Sequence, residues 1–127
     1  MQAQAGLALV VVGLLLCKHM LFDFVLQTRY QLEHKQIYGH AGGLLHAGLH
    51  VLGTALAVVV VRPAPGLLGA ILAAEFVVHY HVDWIKEQLL RRGGWDRSDA
   101  RYWAVFGGDQ LIHELGYVVI AWVLVSR

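Results

Sequence analysis

Charge is scarce in this sequence. Only 15 % of its 127 residues are Asp, Glu, Lys or Arg, 57 % are hydrophobic, and the mean hydropathy is +0.55. Soluble domains carry about 25 % charged and about 45–50 % apolar residues, and a globule this small leaves much of its surface exposed. The apolar excess argues against a soluble domain and makes lipid the natural solvent. Cysteine is almost missing: Cys17 stands alone, which rules out an internal disulfide. Beside Leu16 in an apolar run, it reads as a small packing residue. Proline is confined to Pro63 and Pro65. The net charge is only +1, and no nucleic-acid partner is expected. The stretch Met1-Gln2-Ala3-Gln4-Ala5-Gly6 lacks positive charge. The apolar run behind it meets Lys18, His19 and Asp23 with no cleavage site, so a retained helix is expected rather than a signal peptide.

Four apolar segments, at about 5–26, 43–61, 67–89 and 103–125, each approach the roughly 20 residues that cross a bilayer core. Arg62-Pro63-Ala64-Pro65 stops the second, because proline cannot continue a helix interior. Arg91-Arg92-Gly93-Gly94 ends the third. Connections of about 16, 5 and 13 residues favour antiparallel neighbours. The expected fold is therefore all-α: an integral membrane four-helix bundle running up-down-up-down, one transmembrane domain over residues 1–127. Gly42, Gly43, Gly48 and Gly53 would let the second helix approach its neighbours closely. Lys18, Arg29, Lys35, Lys86, Arg91, Arg92, Arg97 and Arg101 fall at one end of such a bundle, and Arg62 and Arg127 at the other. The positive-inside rule then puts the longer loops in the cytoplasm and both termini outside. Trp84, Trp95, Tyr102 and Trp103 suit an aromatic belt on the cytoplasmic side.

Inside the spans the ionisable residues come in pairs: His19 and Asp23, His46 and His50, His79 and Asp83, Asp109 and His113. Every pair is spaced four residues apart, which sets both side chains on one helix face, a turn apart. The pairs come late, early, late and early in successive spans, so alternating helices bring all eight to one depth near the cytoplasmic face. An aspartate near a span's centre costs about 2.5–3.5 kcal/mol to insert; three of them call for a compensating partner. Five imidazoles and three carboxylates suit zinc first, then iron or manganese, and not an all-oxygen calcium cage. One or two divalent ions are expected. A dinuclear centre resembles carboxylate bundles whose facing helices project ligands inward, although those use Glu and a different spacing. A single tetrahedral zinc with Asp partners behind its histidines is the alternative. Glu75, one turn before His79, is a candidate proton acceptor or ligand, and Lys86 a candidate catalytic residue on the Asp83 stripe. Gln27, Gln110 and Glu114 adjoin the pairs. His34 and His40 fall in a loop, and His81 lies about 200° round the helix from His79; none of the three is expected to be a ligand.

The run His19-Met20-Leu21-Phe22-Asp23-Phe24-Val25-Leu26-Gln27, with His46, His50, His79, Asp83, Lys86 and Asp109-Gln110-Leu111-Ile112-His113, resembles a family of small bacterial membrane proteins, domain of unknown function 3307. A looser likeness is to inner-membrane proteins labelled predicted metal-dependent hydrolases. The resemblance implies a bacterial inner-membrane location and the same polar positions, but no reaction. The leading expectation is a metal-dependent hydrolase acting on a lipid or phosphate-bearing substrate. Arg91, Arg92, Arg97 and Arg101 would attract an anionic group. A histidine-rich di-iron oxidoreductase and a metal-ion or proton transporter are the other readings. Expected partners are membrane lipid, an anionic small-molecule or lipid substrate, and, left open, further copies of the chain.

Overall fold

The first apolar run ends in a widened turn. In the computed structural model, which describes residues 1–126, α1 (Gln2–Met20) passes into a π-helical turn, Leu21–Val25. Leu26 N donates to Leu21 O at 2.8 Å, the five-residue step of a π bond. Such turns take in one extra residue and occur at functional positions inside helices; this one carries Asp23.

The first connection is more structured than a loop. It holds α2 (Arg29–His34), started by Thr28. Gln31 N donates to Thr28 Oγ1 at 3.3 Å, and Thr28 N to Gln31 Oε1 at 3.2 Å. This reciprocal box satisfies two otherwise orphaned donors, and α2 packs on α3. His40 caps α3 (Ala41–Ala57), its Nδ1 accepting from Gly42 N at 3.1 Å.

A 3-10 turn, Val58–Val61, leads to Arg62 in the left-handed conformation, and Pro65 starts α4 (Pro65–Gly93). Proline is favoured there because the missing N–H would have had no helical partner. At its other end Gly94, with φ of 62°, closes the helix: Trp95 N reaches Leu90 O and Gly94 N reaches Arg91 O, both at 3.2 Å. Asp99 caps α5 (Ala100–Val125) by accepting from Arg101 N at 2.8 Å. Side-chain hydrogen bonds from Arg101 hold the Asp99 carboxyl below its usual range.

Five α-helices and no strand are found among the described residues. Four helical stretches, Gln2–Val25, Ala41–Val61, Pro65–Gly93 and Ala100–Val125, are long and apolar enough to cross a membrane. They begin or end a few residues beyond the expected bounds. Contacts join α1 to α3, α3 to α4, α4 to α5 and α5 back to α1, a closed ring. Val11, Leu15, Val58, Ile71, Ala121 and Leu124 fill one layer of its interior. The outside is apolar: Leu9 is 74 % exposed, Leu56 67 % and Trp122 66 %, as a surface solvated by lipid requires.

Several expectations need correction. Cys17 is exposed on the outside rather than packed inside. A Cβ on Gly53 would meet Phe22 at 2.6 Å and Lys18 at 2.7 Å, but one on Gly48 would meet nothing, so Gly48 serves no close approach. Lys18, Lys35 and Lys86, counted above as markers of the membrane face, are buried with acid partners. Arg127, the second charge of the opposite end, lies outside the described residues.

Candidate metal centre

Four helices each send a stripe of polar side chains into the bundle. Late α1 gives Lys18, His19 and, from the π turn, Asp23; early α3 gives His46, His50 and Thr54. Late α4 gives Glu75, His79, Asp83 and Lys86; early α5 gives Asp109, His113 and Tyr117. All are buried except Asp23, which is partly exposed.

Two groups have the spacing to hold a metal ion. In the first, ligand atoms of Asp23, His46, His50 and His79 all lie within 4.8 Å of one another; in the second, so do those of His79, Asp83 and His113. Asp23 Oδ1 stands 2.9 Å from His50 Nε2 and 3.1 Å from His46 Nε2. The Asp83 carboxylate spans both groups, with Oδ2 3.1 Å from His46 Nε2 and Oδ1 3.5 Å from His113 Nε2. The His79 ring is between those of His50 and His113, at centroid distances of 3.9 and 4.2 Å.

The chemistry is in what these atoms do not bond. Asp23 Oδ1, His50 Nε2, both ring nitrogens of His79, Asp83 Oδ1, Asp109 Oδ1 and His113 Nε2 are buried without a hydrogen-bond partner. Native interiors rarely leave such groups unpaired. Yet they stand close together, at separations such as 2.9 and 3.5 Å, without the alignment of a hydrogen bond. Two ligands about 2.0–2.1 Å from one tetrahedral ion stand roughly 3.3 Å apart. Acceptor atoms facing a common point at that spacing fit a cation between them.

Of the eight expected ligands, the two groups thus take in Asp23, His46, His50, His79, Asp83 and His113. His19 stands beside the first group with both nitrogens engaged: Nδ1 with Tyr117 Oη at 2.9 Å, Nε2 with Gln110 Oε1 at 3.0 Å. Its Nε2 is also 3.2 Å from Asp23 Oδ2. Asp109 flanks the second group, with Oδ1 3.3 Å from His113 Nε2 and Oδ2 accepting from Gln110 at 3.1 Å.

Lys86 Nζ lies 3.4 Å from Asp109 Oδ2 and 3.6 Å from Asp83 Oδ1. Glu75 Oε1 accepts from Lys18 Nζ and Thr54 Oγ1, each at 2.8 Å, while its Oε2 has no partner. Gln27 Nε2 is 3.3 Å from both nitrogens of His46, so it lies across the ring rather than in its plane. Glu114 is exposed on the outer side of α5. His34 stacks on His40 at 4.3 Å, and His81 binds Val77 O and Tyr38 Oη, so these three stand in other contacts.

Four functional neighbours escaped the sequence reading. Thr54 and Tyr117 each continue a four-residue stripe, from His50 and His113, and that spacing was the available signal. Lys18 joins Glu75, Tyr117 and His50 O. Lys35, delivered by α2, reaches Asp83 Oδ2 at 3.4 Å. Asp23, Asp83, Asp109, Glu75 and, 3.5 Å from Lys86, Glu87 therefore face Lys18, Lys35 and Lys86, so that carboxylates outnumber ammonium groups by two. A buried charge without a partner is costly, and a cation answers it.

Comparison with curated proteins and with solved structures returns no match. The family model described as "Protein of unknown function (DUF3307)" matches residues 11–127, which hold every polar position of the centre, and the chain belongs to that family.

Proposed function

We propose that this chain is a membrane-embedded, metal-dependent hydrolase of the bacterial inner membrane, acting on a lipid or phosphate-bearing substrate. Its spans alternate in direction, with both termini outside and the centre near the cytoplasmic face. The observation that carries the reading is the convergence of unpartnered, buried imidazole and carboxylate atoms from all four long helices. Zinc is the preferred ion for that donor set, ahead of iron and manganese. Bound there, it would lower the pKa of a water and polarise a substrate oxygen.

The residues divide the work by position. Asp23, His46 and His50 would hold one ion and Asp83 and His113 a second, with His79, whose neutral ring has one lone pair to give, completing one of the two. His19, tied to Tyr117, fixes Asp23, and Asp109 fixes His113, as carboxylates and hydrogen bonds behind ligands commonly do. In hydrolysis the water oxygen bonds to the phosphorus or carbonyl carbon, and the bond to the leaving oxygen breaks. The water's proton would go to a carboxylate, for which Asp109, outside both ligand groups and with Oδ1 unpartnered, is the candidate. The leaving oxygen takes up a proton, for which Lys86 is the candidate donor.

Glu75 is a remote proton acceptor in this scheme. It connects to His19 through Lys18 and Tyr117 over steps of 2.8, 3.1 and 2.9 Å. A carrier reading is weaker, because Val11, Leu15, Val58 and Ile71 close the bundle interior beyond the polar stripes.

Elemental analysis of the purified protein tests the proposal. One or two zinc or manganese ions per chain, removed by chelator together with hydrolysis of a phosphate or carboxylate ester, are expected. A metal-free protein, or one whose hydrolysis ignores chelators, overturns it.

A further inference from the structure

A cavity of about 430 Å³ opens between the π turn, α2 and the facing ends of α4 and α5. Its volume falls within the roughly 300–1,000 Å³ of small-molecule sites. Asp23 lines its inner end, so it leads from the loop side to the first ligand group; Gln27 and Gln110 line it beside Asp23. Three cations, Lys35, Lys86 and Arg97, line it against two acids, Asp23 and Glu87. Phe24, Trp103 and Phe106 form an apolar side. Phe24 and Trp103 are 57 % and 54 % exposed, so this side continues onto the lipid-facing surface.

We propose that this cavity holds the phosphate headgroup of an anionic lipid, anchored by Arg97 at its outer end and by Lys35 and Lys86 at its inner end, with the lipid chain leaving along Phe24 and Trp103. The inference rests on the metal-centre reading and names the substrate class of that centre.

Three observations carry it. The first is the distribution of the basic loop. Arg101 is held by Asp99 at 2.6 Å and lies over the Trp95 ring at 5.0 Å, and Arg91 and Arg92 do not line the cavity. Arg97 does, and its side chain has no acid partner among the described residues. A guanidinium is well shaped to grip a phosphate through two parallel N–H bonds.

The second is the state of the lysines. Lys35 is held by Asp83 at 3.4 Å, and Lys86 by Asp109 at 3.4 Å, Glu87 at 3.5 Å and Asp83 at 3.6 Å. Asp83 belongs to the second metal group, Asp109 flanks it, and Glu87 lies in the cavity wall outside both. An ion bound by Asp83 would take over the negative charge that Lys35 now neutralises, and the freed ammonium group would then favour an anion in the cavity. Metal and headgroup consequently strengthen each other's binding, by the same factor in each direction.

The third is the charge of the buried set. Two divalent ions would turn its excess of negative charge into an excess of positive charge, which an anionic phosphate would answer. The apolar side speaks for a lipid as the source of that phosphate, because a free phosphate has no use for Phe24 and Trp103.

The test is native mass spectrometry of the full-length protein released from nanodiscs that contain phosphatidic acid and phosphatidylcholine with identical chains. Metal content is measured on the same samples. Wild type is expected to retain phosphatidic acid roughly tenfold over phosphatidylcholine, and zinc loading to raise that preference severalfold over chelated protein. Arg97→Ala is expected to lose most of the preference with its metal content intact. Arg92→Ala, an equal change of charge outside the cavity, is expected to keep it. Equal retention of the two lipids, equal losses in the two variants, or full displacement of the lipid by millimolar inorganic phosphate each overturn the proposal. Zinc-bound protein without lipid preference sinks the headgroup site alone. Metal-free protein that keeps an Arg97-dependent preference sinks the hydrolase reading and leaves the site.

Discussion

Replacing Glu75 by glutamine probes whether the ion pair under the centre is as tightly confined as its contacts show. Lys18 Nζ reaches Glu75 Oε1 at 2.8 Å, Tyr117 Oη at 3.1 Å and His50 O at 3.2 Å, and both charged side chains are 5 % exposed. Glu75→Gln keeps the shape and an oxygen for Thr54, but leaves the ammonium with dipoles alone. Removing one member of a buried pair costs about 3–5 kcal/mol. The ammonium can also shed its proton, which at pH 7 costs about 4.6 kcal/mol from the ordinary lysine value of about 10.4; this caps the loss near the top of that range. Lys18→Met strands the carboxylate and is expected to cost about as much. The double variant removes both charges, and replacing a whole buried pair by groups of similar volume is often near neutral. The cycle therefore gives a coupling of about 3 kcal/mol or more, read from reversible denaturant unfolding in detergent by circular dichroism. Single-variant losses below about 1 kcal/mol with no coupling would mean that water reaches this pair, and the confined layer would not exist.

Other perturbations read different parts of the molecule. His79→Ala takes a member from both ligand groups and is expected to abolish bound metal, whereas Asp109→Asn, behind His113, lowers metal affinity by about 10–100-fold; equal retention by elemental analysis refutes the division. Gly53→Ala pushes a Cβ against Phe22 and Lys18 and is expected to cost about 1–3 kcal/mol in the same unfolding assay. Gly48→Ala, with open space, is expected to gain up to about 1 kcal/mol. Thr28→Ala removes the α2 cap, costs about 1 kcal/mol, and speeds proteolysis between α1 and α3; unchanged cleavage there counts against α2 as a capped helix.

The spans and their polar layer were legible because each rests on periodicity. Hydrophobic runs set helix lengths, and a four-residue repeat puts Asp23, His46, His50, His79, Asp83 and His113 on inward faces whatever the neighbouring helix does. Other features depend on tertiary context. A six-residue helix such as α2 has little stability alone, so it stands on the Thr28 box and on packing against α3, and Lys35 reaches Asp83 only through it. Lys18 sits next to His19 in sequence and counted as a boundary charge, because only the opposite position of Glu75 makes burying it tolerable. The π turn has no residue signature: Leu21-Phe22-Asp23-Phe24-Val25 would suit an α-helix equally well. Gly48 and Gly53 look alike in sequence, and the direction each faces separates them.

The π turn also acts as a seam. It contains one residue more than a regular helix needs, so losing a residue between Leu21 and Val25 would let α1 close into an unbroken α-helix. The wide turn takes up its extra residue in place, so such a deletion would leave Gln27 and Thr28 close to their present direction. Upstream, Lys18 and His19 would keep their register with α3 and α5. The extra residue is thus absorbed in the very turn that carries Asp23, where it sets the angle at which that carboxylate enters the histidine layer without displacing the entrance beside it.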